Sequence, residues 1–255
     1  MSLQARKAEQ FRALHIPGKP LVLFNIWDAG SAKAVAKAGA TAIATGSWSV
    51  ANANGFADGE RMPLALAIDN LRRIVDATDL PVTIDLEGGY GDTVDAVGKT
   101  SRLAIDAGAV GCNLEDSFPA NGKLREAVDQ SDRIRRVRQI VDATGVHFFV
   151  NARTDVFFQL PPERHDDAMV VEVIKRARAY AEAGADGLFA PGLAEIGLIA
   201  RLAESSPLPL NIMVGDATPP LRDLAAHGVA RVSHGPRPYL VAMKALEQAA
   251  REASA

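Results

Sequence analysis

The chain has 255 residues, 48% of them hydrophobic, and a formal net charge of −3 from 28 Lys and Arg against 31 Asp and Glu. That length and apolar content suit one large α/β domain, and the balanced charge offers none of the basic surface that nucleic acid requires. A single cysteine, Cys112, excludes an intrachain disulfide. No apolar stretch reaches the roughly eighteen residues of a bilayer span, and the polar segment Met1–Gln10 lacks a secretory apolar region, so the chain reads as cytoplasmic.

Along the chain a short grammar repeats. Lys37-Ala38-Gly39-Ala40-Thr41, Asp106-Ala107-Gly108-Ala109-Val110 and Glu182-Ala183-Gly184-Ala185-Asp186 each end a helix on Ala-Gly and start an apolar strand at once, and Ala226-His227-Gly228-Val229 is a looser copy. The glycine supplies the left-handed residue that closes the helix. Reading between these marks predicts strands over 20–27, 41–47, 81–87, 110–116, 148–154, 186–190, 208–214 and 230–234. It predicts helices over 31–38, 63–77, 93–107, 131–143, 166–183, 193–205, 219–227 and 237–252, with Ser31 after Asp28, Pro63 and Pro219-Pro220 as start signals. Eight alternating units with near-continuous apolar strands predict a parallel (β/α)8 barrel occupying residues 1–255 as one domain. The rival, a doubly wound open sheet, would want a G-x-G-x-x-G turn where this chain reads Ile26-Trp27-Asp28-Ala29-Gly30-Ser31. The basic run Arg133-Ile134-Arg135-Arg136-Val137-Arg138 has helical spacing and is read as a solvated face, and Asp92 as a helix cap.

In such a barrel, chemistry belongs to the C-terminal strand ends, and the unusual polar residues fall there. Strand two ends in Thr45-Gly46-Ser47-Trp48, strand three in Asp85-Leu86-Glu87 and strand four in Glu115-Asp116-Ser117. Strand five ends in Asn151-Ala152-Arg153, while Asn211 and Ser233 lie on strands seven and eight. Residues two apart share a strand face, so Asp85 and Glu87 point together, joined by Glu115 from the next strand. Converging carboxylates suit a hard divalent cation, Mg²⁺ or Mn²⁺, and a barrel-interior Arg153 demands an anion or a carboxylate partner such as Glu115 or Glu87. No lysine lies in any strand, which argues against a Schiff-base aldolase. His234 falls on the opposite face to Ser233 and is read as structural; Cys112 is read as a small core residue.

These motifs resemble the isocitrate lyase/phosphoenolpyruvate mutase superfamily across nearly the whole chain. Asp85-Leu86-Glu87-Gly88-Gly89-Tyr90-Gly91 is similar to its D-x-D-x-G-Y-G signature, with glutamate in the second acidic place. Asn25-Ile26-Trp27-Asp28, Thr45-Gly46-Ser47, Gly55-Phe56-Ala57-Asp58, Asn113-Leu114-Glu115-Asp116 and Asn151-Ala152-Arg153-Thr154-Asp155 resemble its other motifs. The resemblance implies Mg²⁺-dependent making or breaking of a bond beside an α-keto acid through a pyruvate-enolate-like intermediate. It implies Mg²⁺ on Asp85, Glu87 and Glu115, largely through waters, and substrate carboxylate on Thr45, Gly46 and Ser47 beside Trp48. It further implies Arg153 on the enolate oxygen, Asp58 touching the ligand or a metal-bound water, and Asn211 and Ser233 at the rim or floor.

The departures narrow the reaction. The lyases' K-[KR]-C-G-H loop is replaced by Phe118-Pro119-Ala120-Asn121-Gly122-Lys123-Leu124, which lacks cysteine and histidine. Phe118-Pro119 and Asn121 echo the loop of the mutases and phosphonopyruvate hydrolases, without its lysine. Leu188-Phe189-Ala190 stands where the lyases place glutamate. Cleavage or rearrangement of a C–C or C–P bond in a small α-keto acid or carboxylate is expected, with an α-keto-acid decarboxylase or phosphonopyruvate-type hydrolase as the alternative. A metabolite-binding barrel without turnover is the alternative of another class. The apolar stripe Tyr239, Leu240, Met243 and Leu246, after the stiff Gly235-Pro236-Arg237-Pro238, predicts a homodimer or homotetramer with the last helix exchanged between subunits.

Overall fold

A computed structural model describes residues 1–254. Its eight strands are β1 (Leu21–Leu23), β2 (Ile43–Ala44), β3 (Val82–Asp85), β4 (Gly111–Glu115), β5 (Phe149–Arg153), β6 (Gly187–Phe189), β7 (Leu210–Met213) and β8 (Arg231–Ser233). All are parallel, in the order β1-β8-β7-β6-β5-β4-β3-β2, and an isolated parallel bridge between Ile26 and Thr45 brings β1 and β2 together. The result is the expected α/β (β/α)8 barrel.

The intervening helices are α2 (Ala29–Lys37), α3 (Ser47–Ala53), α4 (Leu64–Asp76), α5 (Val94–Asp106), α6 (Ala127–Asp142), α7 (Asp167–Glu182), α8 (Ile196–Ser205), α9 (Leu221–Ala226) and α10 (Arg237–Ala253). Asp28 caps α2 in a reciprocal capping box with Ser31. Gly39, Gly108, Gly184 and Gly228 all have left-handed φ, between 81° and 100°, so the repeated Ala-Gly grammar is a set of helix stops. The strands are shorter than expected because their C-terminal polar residues leave the ladder to build the barrel mouth. Asp92 is not the cap of α5; Thr93 accepts from the Ala96 amide, and Asp92 pairs with Arg125.

Alternation sorts the strands cleanly. Cys112, Leu114, Val150, Ala152, Leu188, Ile212 and Val232 face outward into the layer of helices. Each large aliphatic residue buried there contributes about 1.5–3 kcal/mol. The floor of the barrel interior holds Leu21, Leu23, Ala42, Ala44, Val110 and Phe149. Gly111 leaves room for the Phe149 carbonyl and Gly187 for its ring; a Cβ on Gly187 would meet that ring at 2.9 Å and Asn151 Oδ1 at 2.7 Å.

An N-terminal helix, α1 (Leu3–Ala13), stoppers this floor and was not legible as a plug from its polar composition. It buries Ala5, Ala8 and Phe11, and Gln4 donates to the carbonyls of Ile105 and Ala109. Just beyond it, His15 stacks on Phe149 at 4.0 Å and hydrogen-bonds the Phe11 carbonyl through Nδ1, while its Nε2 has no protein partner.

Burial, and next the field of Arg231, push the His15 imidazole down to about 3. A base with a depressed folded pKa leaves stability untouched above its unfolded value near 6.5. As pH falls below that value the unfolded chain takes up a proton the fold refuses, and stability is lost down to about pH 3. His15→Phe, which preserves the stack, should flatten the loss of stability in denaturant titrations between pH 6 and 4 by up to about 1.4 kcal/mol per pH unit. An unchanged slope would show that His15 is not the group responsible.

Candidate active site

The ends of β4 and β5 place Glu115 and Arg153 side by side in register. Arg153 Nη1 lies 2.8 Å from Glu115 Oε2, and its Nε lies 2.7 Å from Asp155 Oδ1. Ser117 Oγ joins the two acids, donating to Asp155 Oδ2 at 2.7 Å and lying 3.1 Å from Glu115 Oε1. Burial opposes charge on the guanidinium, but Glu115 and Asp155 outweigh it and hold Arg153 above its usual range. Burial pushes the Glu115 carboxyl up, against the pull of Arg153. Asp155, absent from the expected site, is therefore the second jaw of the clamp.

Behind it, Asp116 is fully buried and accepts from Arg176 Nη1 at 3.0 Å, from the Tyr180 hydroxyl at 2.7 Å and from the Asp155 amide at 3.0 Å. The Glu-Asp pair thus divides its labour: Glu115 faces the barrel interior and Asp116 fixes the backbone of β5's exit.

At the end of β3, the Asp85 amide donates to Thr45 Oγ1 at 3.0 Å, and Asp85 Oδ2 receives the Ser47 amide at 3.3 Å. Its Oδ1 is buried with no protein donor. Thr45 therefore orients Asp85 and does not reach the main cavity. Glu87 departs from the expected alternation. The strand ends at Asp85, Glu87 takes a left-handed φ of 51°, and its Oε2 accepts the Gly59 and Glu60 amides at 2.8 and 2.7 Å. The Tyr90 hydroxyl lies 3.2 Å from its Oε1. Burial, then Asp58 and Asp85, push Glu87 up to about 7. Glu87 so latches the segment that carries Asp58 over the mouth. Arg133, read as solvated, is in fact buried and donates to the carbonyls of Gly88, Gly91 and Asp92, pinning the turn that holds Glu87.

A cavity of about 190 Å³ opens here, with Gly46, Ser47, Trp48, Asp58, Asp85, Arg153 and Ser233 among its lining residues. The Gly46 amide is committed to the Ile26 carbonyl at 3.2 Å, so it closes the barrel and is not free to hold a substrate carboxylate. Asn25 Oδ1 accepts the His234 and Gly235 amides, fixing the loop beyond β8. His234 turns away and packs against Phe24 at 5.0 Å, as expected of a structural residue. Asn211 sits one layer down, 3.2 Å from Ser233 Oγ. Asn121 does not reach the cavity: it is exposed in a hairpin and accepts the Lys123 amide.

Beneath the cavity, Arg231 is buried inside the barrel, 3.2 Å from Asn113 Oδ1, and burial pushes it down to about 9. Sequence reasoning missed it, although its place two residues before Ser233 on one strand face was the available signal.

Among the described residues no three His, Cys, Asp or Glu side chains converge as direct metal donors. Asp85 lines this cavity and nevertheless fits a hard cation, because a carboxylate with one buried oxygen lacking a donor is costly unless it is compensated. Glu87 and Glu115 are engaged by protein donors and fit as outer groups.

The sequence matches the family profile described as Phosphoenolpyruvate phosphomutase over residues 11–254. It is 35% identical to an uncharacterized protein of Mycobacterium tuberculosis H37Rv, over 96% of this chain and 88% of the relative. It is 32% identical to the 2-methylisocitrate lyase of Escherichia coli K12, over 81% and 73% respectively. A crystal structure from Burkholderia cenocepacia J2315, provisionally described as a phosphonomutase, superimposes with a TM-score of 0.96 at 56% identity, covering 98% of this chain and 99% of that one. The chain belongs to the phosphoenolpyruvate phosphomutase family, within the isocitrate lyase/phosphoenolpyruvate mutase superfamily, and is an enzyme of that superfamily.

Proposed function

We propose that the protein is a Mg²⁺-dependent lyase or mutase that acts on a small α-keto acid or related carboxylate through a pyruvate-enolate-like intermediate. One juxtaposition carries this reading: the bare, buried Asp85 oxygen and the doubly braced Arg153 guanidinium belong to residues lining the same cavity. An enolate oxygen beside a carboxylate needs two positive partners, and these residues supply one and would hold the other. The divalent ion, held by Asp85 with Glu87 and Glu115 as outer groups, would supply Lewis-acid stabilisation of the developing negative charge.

The chain's own residues do the rest. Arg153, fixed by Glu115 and Asp155, donates to the substrate oxygen without reorganising, which is the condition for strong electrostatic stabilisation. Ser47, Trp48 and Ser233 orient the substrate. With no cysteine or histidine lining the cavity, Asp58 at its mouth is the residue placed to exchange a proton with the ligand. The homologous 2-methylisocitrate lyase supports a carboxylate substrate class.

The last helix bears on the assembly. No helix among the described residues is long and apolar enough to cross a membrane, yet α10 buries only Pro238 and leaves Leu240, Val241 and Leu246 exposed. On the barrel wall Val22 and Phe24 are exposed too, and a groove of about 480 Å³ runs between this wall, Val35 and Val241. A second copy exchanging α10 would cover both surfaces, so the working form is a homodimer or homotetramer.

Asp85→Ala should abolish Mg²⁺ binding in titration calorimetry while leaving the circular dichroism spectrum unchanged; undiminished affinity would sink the assignment. Because Glu87 carries a proton below about 7, the apparent Mg²⁺ affinity should rise between pH 6 and 8, and Glu87→Gln should flatten that rise. Light scattering at micromolar concentration should give a multiple of 27.0 kDa, and a single-chain mass would contradict the exchange.

A further inference from the structure

We propose that the site selects a 2-oxo acid with one carboxylate and an apolar substituent on C3, over di- and tricarboxylates; this rests on the enolate reading above and adds the substrate class to it. The cavity is lined by two kinds of side chain: Asn25, Ser47, Asp58, Asp85, Asn113, Arg153 and Ser233 are polar, and Trp48, Phe158, Phe189, Met213 and Pro236 are mainly apolar. Phe189 ends β6 and is buried, in register with Arg153, its ring 6.0 Å from the guanidinium. The Phe158 ring lies 5.8 Å from the same guanidinium and is half exposed. Met213 ends β7 beside Ser233. Tyr239 holds Trp48 edge-on at 5.9 Å, so this part of the wall is braced by α10.

Charge makes the same selection. Among the described residues lining the cavity Arg153 is the one cation, and it already answers Glu115 and Asp155, while Asp58 and Asp85 add negative charge. One substrate carboxylate and its keto oxygen can be met by Arg153, the polar side chains and the cation that Asp85 would hold. A second carboxylate would find no second cation in the lining, and would meet the Asp58 carboxylate or the donorless side chains of Phe158, Phe189 and Met213, so its desolvation is poorly compensated. Size argues for a substituent. At roughly 15 Å³ per enclosed water, about 190 Å³ has room for more than a three-carbon acid, and Trp48, Phe158, Phe189 and Met213 give that room an apolar lining.

The test uses the full-length protein with saturating Mg²⁺ and calorimetric competition against oxalate. Pyruvate, 2-oxobutanoate, 2-oxopentanoate, 4-methyl-2-oxopentanoate and phenylpyruvate form the apolar series, against oxaloacetate, 2-oxoglutarate and isocitrate. Affinity should rise by about fourfold per buried methylene along the series, and each dicarboxylate should bind at least about tenfold more weakly than the apolar acid of equal length. Phe189→Glu should cut the ratio of 4-methyl-2-oxopentanoate to oxalate affinity by at least about tenfold. Phe158→Ser, at a half-exposed position where folding is not at stake, should lower the same ratio severalfold. Oxalate binding with a flat apolar series, or with dicarboxylates preferred, would overturn the selectivity alone. Failure of oxalate to bind the Mg²⁺-loaded protein would overturn the enolate reading and the selectivity with it.

Discussion

The constraint on which the mouth of this barrel depends is a cation enclosed by carboxylates. Asp85, Glu87, Glu115, Asp116 and Asp155 crowd the ends of three adjacent strands, and their mutual repulsion in a dry interior needs an answer. Arg153 answers the inner pair directly, Arg176 answers Asp116, and backbone amides answer Glu87. Such an arrangement is not a device for stability, since apolar residues of like volume generally stabilise as well as buried ion pairs. What it achieves is rigidity: the guanidinium has its direction fixed before any ligand arrives. Asp85 is the one acid of this set left with a buried oxygen lacking a protein donor, and the proposed metal role follows from that residual imbalance.

Alternation along the strands made much of this legible. Glu115 and Arg153 were readable as barrel-interior residues because they lie inside regular strands, where parity holds, and the helix-stopping glycines marked the units. Parity failed at Glu87 because the chain leaves the strand after Asp85 and enters the left-handed region, turning the longer glutamate toward Gly59 and Glu60. Asp155 stands in a motif of the sequence without a legible role for a similar reason: it lies beyond β5 and depends on the Asp116 carboxylate for its orientation. Within the basic run of α6, Arg135 is exposed as the helical spacing implies, whereas Arg133 lies on the face that meets the β3 turn and is buried. Asn121 shows the reverse error, a motif echo whose loop is too short to reach the cavity.

The chain's two terminal helices serve opposite ends of the barrel. α1 seals the bottom with Phe11 against Phe149, leaving the polar layer of Asn113, Asn151 and Arg231 as the substructure on which the cavity stands. α10 begins immediately after the loop fixed by Asn25 and contributes Tyr239, which packs on both Trp27 and Trp48. The helix with the largest unpartnered apolar face therefore also supports a wall of the site. With α10 exchanged as proposed, the helix that packs on Trp48 would come from a second copy, linking the quaternary structure to the part of the cavity that meets the substrate's substituent.

In the proposed enzyme, Asp85 and Arg153 bracket one oxygen-rich ligand between a divalent cation and a guanidinium. The most direct test of this arrangement is a crystal structure of the protein grown with Mg²⁺ and oxalate, the stable analogue of a pyruvate enolate. Density is expected for a divalent cation in contact with the Asp85 carboxylate, with oxalate beside it and one oxalate oxygen facing Arg153. Oxalate bound away from Arg153, or a cation that avoids Asp85, would contradict the arrangement.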